Sequence, residues 1–241
     1  MELQGIGALV TGASSGLGEA LSWQLARSGA RVAMVARGEA RLFAAVQRIR
    51  TEGGDVHAIP GDVGLKEDIH RIAGSAAALV GPVSLLVNNA SALGPVPLQL
   101  LLDTECEELE RALAVNLVGP FRLTKLVVGS MTLQGRGLVV NITSDASVNA
   151  YERWGAYGGS KAALDHLTRI WAAELNATGV KLLAVDPGEI DTPMHADAMP
   201  DSDRSALPSP SAVAERLIAL IRRAEHWPSG TRIELAKEAP R

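Results

Sequence analysis

Two residues four apart offer the most direct chemistry in this sequence, Tyr157 and Lys161 in the run Tyr157-Gly158-Gly159-Ser160-Lys161. On a helix that spacing sets both side chains on one face. A free phenol titrates near ~10 and relays protons poorly at neutral pH, but a neighbouring ammonium favours the phenolate. Such a pair can exchange a proton with a hydroxyl or carbonyl oxygen while the bond at carbon changes. Tyr151 and Tyr157 are the only tyrosines in a chain that is 3% aromatic, so their closeness asks for an explanation. The spacing also arises by chance, and it gains meaning only from what surrounds it.

One such support is Leu138-Val139-Val140-Asn141-Ile142-Thr143-Ser144, a strand of buried type that delivers Ser144 to its C-terminal end. Open α/β sheets place their ligands there. Ser144 is suited to hydrogen-bond and polarise a substrate oxygen; capping of local backbone is the plainer use, and Thr143 is the rival hydroxyl. A second support is Asn116, four residues before Pro120 in an apolar helical run. If the helix continues, proline offers no N–H to the carbonyl of residue 116, which is left free to hold a water. The plainer reading is a polar packing compromise at a kink.

Thr11-Gly12-Ala13-Ser14-Ser15-Gly16-Leu17-Gly18 follows the first strand candidate and opens the first helix candidate. In that context glycines let the backbone approach a pyrophosphate at a helix N-terminus, although an ordinary strand-to-helix turn also uses them. Dinucleotide folds commonly carry an acid at the end of the second strand for the ribose 2′-hydroxyl. Here that position is Ala36, and the next residue is Arg37, whose guanidinium can clasp a 2′-phosphate. NADP(H) is therefore favoured and NAD(H) remains possible. Asp62 in Gly61-Asp62-Val63 follows the third strand candidate, where its plainer use is to cap the helix beginning near Leu65.

The elements that must position these residues alternate. Strand candidates are 6–10, 31–36, 56–59, 83–87, 137–142, 181–185 and 231–235, separated by segments with apolar residues three or four apart, such as Leu17-Leu21-Leu25 and Val213-Leu217-Leu220. Seven strands with interleaved helices fit an α/β fold, a single doubly wound Rossmann-type domain over 1–241 with a seven-stranded parallel sheet and helices on both faces. The proline-rich stretch 189–210 reads as a loop long enough to act as a substrate lid.

Composition narrows the classes. With 23 basic and 27 acidic residues and a net charge of -4, the chain lacks the footprint of a nucleic-acid binder. The apolar runs read as too short to span a bilayer and the start of the chain lacks a leader pattern, so a cytoplasmic protein without membrane contact is expected. The single cysteine, Cys106, sits among Glu105, Glu107 and Glu108, which disfavour a thiolate nucleophile. The five histidines show no metal-ligand spacing, and no metal site is expected.

Taken together, Thr11–Gly18 with its Gly-x3-Gly-x-Gly spacing, Asn88-Asn89-Ala90, Asn116, Ser144, Tyr157-x3-Lys161 and Pro187-Gly188-Glu189-Ile190-Asp191-Thr192 resemble the short-chain dehydrogenase/reductase family. Ser91 stands where the family's Asn-Asn-Ala element ends in glycine. The resemblance implies hydride transfer between NADP(H) and a carbonyl or secondary alcohol, with Asn116, Ser144, Tyr157 and Lys161 as the catalytic set. It implies a cofactor bed of Gly12, Ser14, Ser15, Gly16, Leu17, Gly18, Arg37, Asp62, Val63, Asn89, Ala90, Tyr157, Lys161, Pro187, Gly188, Ile190 and Thr192. A water is expected between Asn116 and Lys161, and Ile190 and Thr192 are expected at the nicotinamide carboxamide. Ser144, Tyr151, Trp154 and Tyr157 would meet the substrate, Tyr151 and Trp154 either by stacking or by anchoring their loop, with Asp145, Ala150, Arg153, Met194 and His195 nearby. The family also implies a homodimer or homotetramer. A dinucleotide-binding sensor without turnover is the alternative, as is an NAD(H)-dependent alcohol dehydrogenase.

Overall fold

Short, mostly apolar runs form the strands β1 (Gly7–Thr11), β2 (Arg31–Ala36), β3 (Val56–Pro60), β4 (Val83–Asn88), β5 (Gly137–Ile142), β6 (Val180–Asp186) and β7 (Arg232–Glu234), with β1, β2, β4, β5 and β6 buried on both faces and the edge strands β3 and β7 only in part. All pair in parallel, in the order β3-β2-β1-β4-β5-β6-β7. The computed structural model describes residues 1–238; the last three positions of the expected 1–241 unit lie outside them.

Side chains alternate along each strand and so feed two cores. From β1, Ala8 and Val10 pack with α1 (Gly16–Arg27), α2 (Glu39–Thr51) and α8 (Pro210–Arg222), whereas Leu9 packs on the other face with α3 (Lys66–Val80) and α5 (Gly119–Leu133). Helix α6 (Gly155–Glu174) lies against that second face through Trp171. The order in which successive strands are added reverses between β1 and β4, one half of the sheet growing outward as β1-β2-β3 and the other as β4-β5-β6-β7, which opens a crevice at the strands' C-terminal ends. The expected seven-stranded doubly wound sheet is present, with strand limits shifted by a residue or two.

Four local expectations differ. Helix α4 (Cys106–Leu113), a π turn (Ala114–Val118) and α5 run on as one 28-residue helical stretch, Cys106–Leu133, long and apolar enough by composition to cross a bilayer. Half of its most apolar window is buried inside the protein. This apolar stretch is longer than it reads in the sequence because the helix continues through Pro120. The π turn explains how: Gly119 N–H reaches back five residues to Ala114 O, next to a proline that has no N–H to give. Second, the 189–210 stretch contains α7 (Pro193–Ala198), started by Pro193 and by Thr192 Oγ1 accepting the His195 N–H at 3.2 Å. Third, Asp62 is not the cap of α3, where Leu65 holds that position. Asp62 Oδ1 instead accepts the Gly64 N–H at 2.8 Å, and Asp68 takes the Asp62 N–H at 2.8 Å. Fourth, β7 is shorter than the 231–235 expected.

Candidate active site

The ends of β1 and β4 are stitched together beside the glycine turn. Thr11 Oγ1 accepts the N–H groups of Asn89 and Ala90, each at 3.0 Å, and Asn89 Nδ2 donates to the carbonyls of Thr11 at 2.9 Å and Gly12 at 3.2 Å. The turn has no room for side chains: a Cβ on Gly12, whose φ is +65°, would stand 2.8 Å from Ala90 Cα. One on Gly18 would stand 2.5 Å from Asn89 Nδ2 and strike the Gly12 carbonyl. Ser15 holds the cap position of α1 without a side-chain bond to the helix, so the first-turn N–H groups are free for an anion. At the end of β2, Arg37 is 67% exposed and lies 3.8 Å from Asp62. Arg41, in the first turn of α2, lines the same hollow.

At the other end, Tyr157 and Lys161 lie near the start of α6, and both are buried, with Lys161 only 2% exposed. Lys161 Nζ donates to the Ile142 carbonyl at 2.8 Å and stands 5.5 Å from the Tyr157 ring centre. Burial pushes the ammonium down to about 8, with Asp165 acting against the fall. Burial also pushes the Tyr157 phenol up to about 12; the hydroxyls of Ser144 and Ser91 pull it down, and the charges of Asp186 and Asp145 add to the rise. Lys161 therefore does not make this phenol acidic, as the spacing alone suggested. Desolvation outweighs a cation that is turned toward a carbonyl and itself disfavoured by burial.

Ser144 follows β5 and caps local backbone: its Oγ accepts the Ala146 N–H at 3.2 Å and donates to Asp145 at 3.0 Å. It lines the cleft as well. Thr143 Oγ1 is buried and has no hydrogen-bond partner among the described residues. Asn116 is fully buried in the π turn. Its Oδ1 accepts from Ala92 N–H at 2.7 Å and Ser91 Oγ at 3.2 Å, and its Nδ2 donates to Ala92 O at 2.7 Å and Ser160 Oγ at 2.8 Å. The side chain therefore ties the segment after β4 to α6 through Ser160, the residue before Lys161. Ser91, a departure from the motif, belongs to this network. Ser160 carried no signal in the sequence, because its partner Asn116 lies 44 residues away.

Tyr151 and Trp154 anchor their loop and line the cleft at once. Tyr151 Oη donates to Asp145 at 2.7 Å, which raises its own phenol above the ordinary value, and Trp154 meets the Tyr157 ring edge-on at 5.6 Å. Met194 and His195 also line it, but Arg153 is turned out toward Glu152 at 3.6 Å, and neither it nor Ala150 faces the cleft. Cys106 is exposed and outside the cleft. Of all residues assigned to catalysis, cofactor and substrate, only Gly18 and Asn116 stand behind the wall; the rest line one continuous cavity of about 720 Å³.

A family model described as short chain dehydrogenase matches residues 7–203. The chain belongs to that family. This short-chain dehydrogenase is 37% identical, over 78% of its length and 73% of the relative's, to an uncharacterized oxidoreductase of Thermotoga maritima. It is 35% identical to a putative ketoacyl reductase of Streptomyces coelicolor, over 78% of this chain and 72% of that one. A solved short chain dehydrogenase/reductase family protein superposes with a TM-score of 0.84 at 30% identity, covering 97% of both chains. The protein is an oxidoreductase of this family, whose members generally bind NAD(H) or NADP(H) and act on small molecules. The hollow over Gly12 and Gly18, open to free N–H groups at one end and to Tyr157 at the other, fits such a dinucleotide.

Proposed function

We propose that this short-chain dehydrogenase moves a hydride between NADP(H) and a carbonyl or secondary alcohol, with Tyr157 giving or taking the oxygen's proton. One observation carries the reading: a single cavity runs from Arg37 and Arg41 past the glycine turn to Ser144, Tyr157 and Lys161. The bound dinucleotide supplies or accepts the hydride. The residues around it have separate tasks. The turn from Gly12 to Gly18, with Ser14, Ser15, Gly16 and Leu17, takes the pyrophosphate, and Arg37 takes the 2′-phosphate with help from Arg41. Asp62 and Val63 meet the adenine, Asn89 and Ala90 the ribose, and Pro187, Gly188, Ile190 and Thr192 the nicotinamide end.

Ser144 holds the substrate oxygen toward Tyr157. Burial pushes the Tyr157 phenol up to about 12, so Tyr157 is neutral at physiological pH and donates its proton to the carbonyl oxygen when the substrate is reduced, taking one back when an alcohol is oxidised. Lys161, brought down to about 8, can hold or release a proton in the working range and so refill the phenol. Asn116 keeps α6 and the segment after β4 in register through Ser160 and Ala92. Residues 189–210, α7 included, act as the lid of a single dinucleotide-binding unit, with Met194 and His195 at the substrate. Exposed Phe121 and Ile170 on α5 and α6 support association into a homodimer or homotetramer, to be measured by light scattering.

The test pairs binding with turnover. NADPH and NADH dissociation constants are measured together with NADPH oxidation across ketones, aldehydes and quinones. Tighter NADPH binding and turnover of at least one carbonyl are expected; tighter NADH binding refutes the cofactor assignment, and binding without any turnover favours a sensor.

A further inference from the structure

Behind Ser144 lies a buried ion cluster that none of the assigned roles uses. Arg232, on β7 and outside the 7–203 family match, has a side chain only 15% exposed. Its Nη2 donates to the Ser144 carbonyl at 3.0 Å and to Asp186 Oδ2 at 2.9 Å. Its Nε donates to Asp165 Oδ2 at 3.2 Å and Ser147 Oγ at 3.3 Å, and Nη1 stands 3.4 Å from Glu234. Ser147 Oγ in turn donates to Asp165 Oδ2 at 2.6 Å, and Asp186 Oδ1 accepts the Gly188 N–H at 3.0 Å. One guanidinium thus joins the turn after β5, helix α6, the end of β6 and β7.

We propose that Arg232 is a positioning residue for the reaction: it fixes the backbone of Ser144 and keeps the negative field of two buried carboxylates, Asp186 and Asp165, off Tyr157 and Lys161. This rests on the reading of Tyr157 as the proton-transferring group. The charged groups facing Tyr157 are Lys161 from its own helix, Asp145 from the turn after β5 and Asp186 from the end of β6. Of these, Asp186 is the one held directly by Arg232. Without the guanidinium, Asp186 and Asp165 share a buried site with no counter-charge of comparable contact, and an uncompensated carboxylate disfavours the phenolate. Planarity matters too, because a fork can hold the Ser144 carbonyl and Asp186 together where a lone ammonium cannot meet the same oxygens in the same geometry.

The test compares Arg232→Met, Arg232→Lys, Arg232→Met with Asp186→Asn, and Tyr157→Phe, using the best substrate of the carbonyl panel and its alcohol. In Arg232→Met, kcat falls by about tenfold or more, the NADPH dissociation constant stays within about twofold, and the alkaline limb of the pH profile moves up by about half a pH unit or more. Adding Asp186→Asn returns the limb, and Arg232→Lys keeps the limb in place while kcat still falls. Unchanged kcat and limb in folded Arg232→Met overturn the proposal. Should that variant fail to fold, wild-type kcat in Arg232→Lys overturns it instead. Full activity in Tyr157→Phe marks failure of the underlying reading alone. Arg232 is then judged by tyrosinate absorbance in a Tyr151→Phe background, where less tyrosinate at alkaline pH in Arg232→Met supports the proposal and an equal amount overturns it.

Discussion

Replacing Tyr151 by Phe leaves Tyr157 as the sole tyrosine, so the near-ultraviolet absorbance of tyrosinate reports one phenol. With burial pushing that phenol from 10 up to about 12, the folded protein prefers the neutral form by about 3 kcal/mol, at roughly 1.4 kcal/mol per pH unit. The sign follows from proton counts. Between 10 and 12 the unfolded chain has lost this proton while the folded protein keeps it, so this group's stabilising contribution is intact below pH 10 and drains away as pH rises toward the folded value. Two readouts are expected before cofactor is added: a tyrosinate midpoint near 12, and an alkaline loss of stability that shrinks when Tyr157→Phe is introduced. A midpoint at or below 10 would refute the reasoning, because it would mean that the Lys161 ammonium outweighs desolvation. Addition of NADP then reports how far the bound cofactor's charge lowers the phenol.

Three other outcomes follow from the geometry. Arg37→Ala weakens NADPH binding by about 10–100-fold, the worth of a charge-assisted hydrogen bond, and leaves NADH nearly unchanged; equal losses for both would remove the 2′-phosphate role. Gly18→Ala forces a methyl against the Gly12 carbonyl and Asn89, costs about 1–3 kcal/mol and abolishes tight dinucleotide binding; a wild-type Tm with wild-type affinity would contradict the close approach. Asn116→Ala strips partners from Ala92 and Ser160 at about 1–3 kcal/mol per buried group left unpaired, and it lowers kcat far more than NADPH affinity; unchanged turnover would remove it from the mechanism.

Local patterning made the fold legible. The central strands are short runs rich in Val, Leu, Ile and Ala flanked by turn residues, and parallel strands buried on both faces leave little else for such runs to be. The stretch 189–210 was less legible, since its prolines mask a short helix that depends on Thr192 as a cap and Pro193 in the first turn. The helical run around Asn116 was legible, but the π turn by which it passes Pro120 was not, because that backbone arrangement has no residue signature of its own. At the site, Tyr157, Lys161, Ser144 and the glycine turn were visible because their spacing is local. The acidity of Tyr157 was not, because it depends on burial by residues distant in sequence, such as Leu93, Ala146 and Met194. Arg232 lacked a signal for the same reason, as its partners are scattered from Ser144 to Glu234.

That Tyr157 transfers the proton is tested most directly by the single-turnover rate of Tyr157→Phe with saturating NADPH and the best carbonyl substrate. The expected result is a rate lower by about 10²–10⁴-fold with NADPH affinity close to wild type. Reduction of the substrate at the wild-type rate by Tyr157→Phe would contradict it.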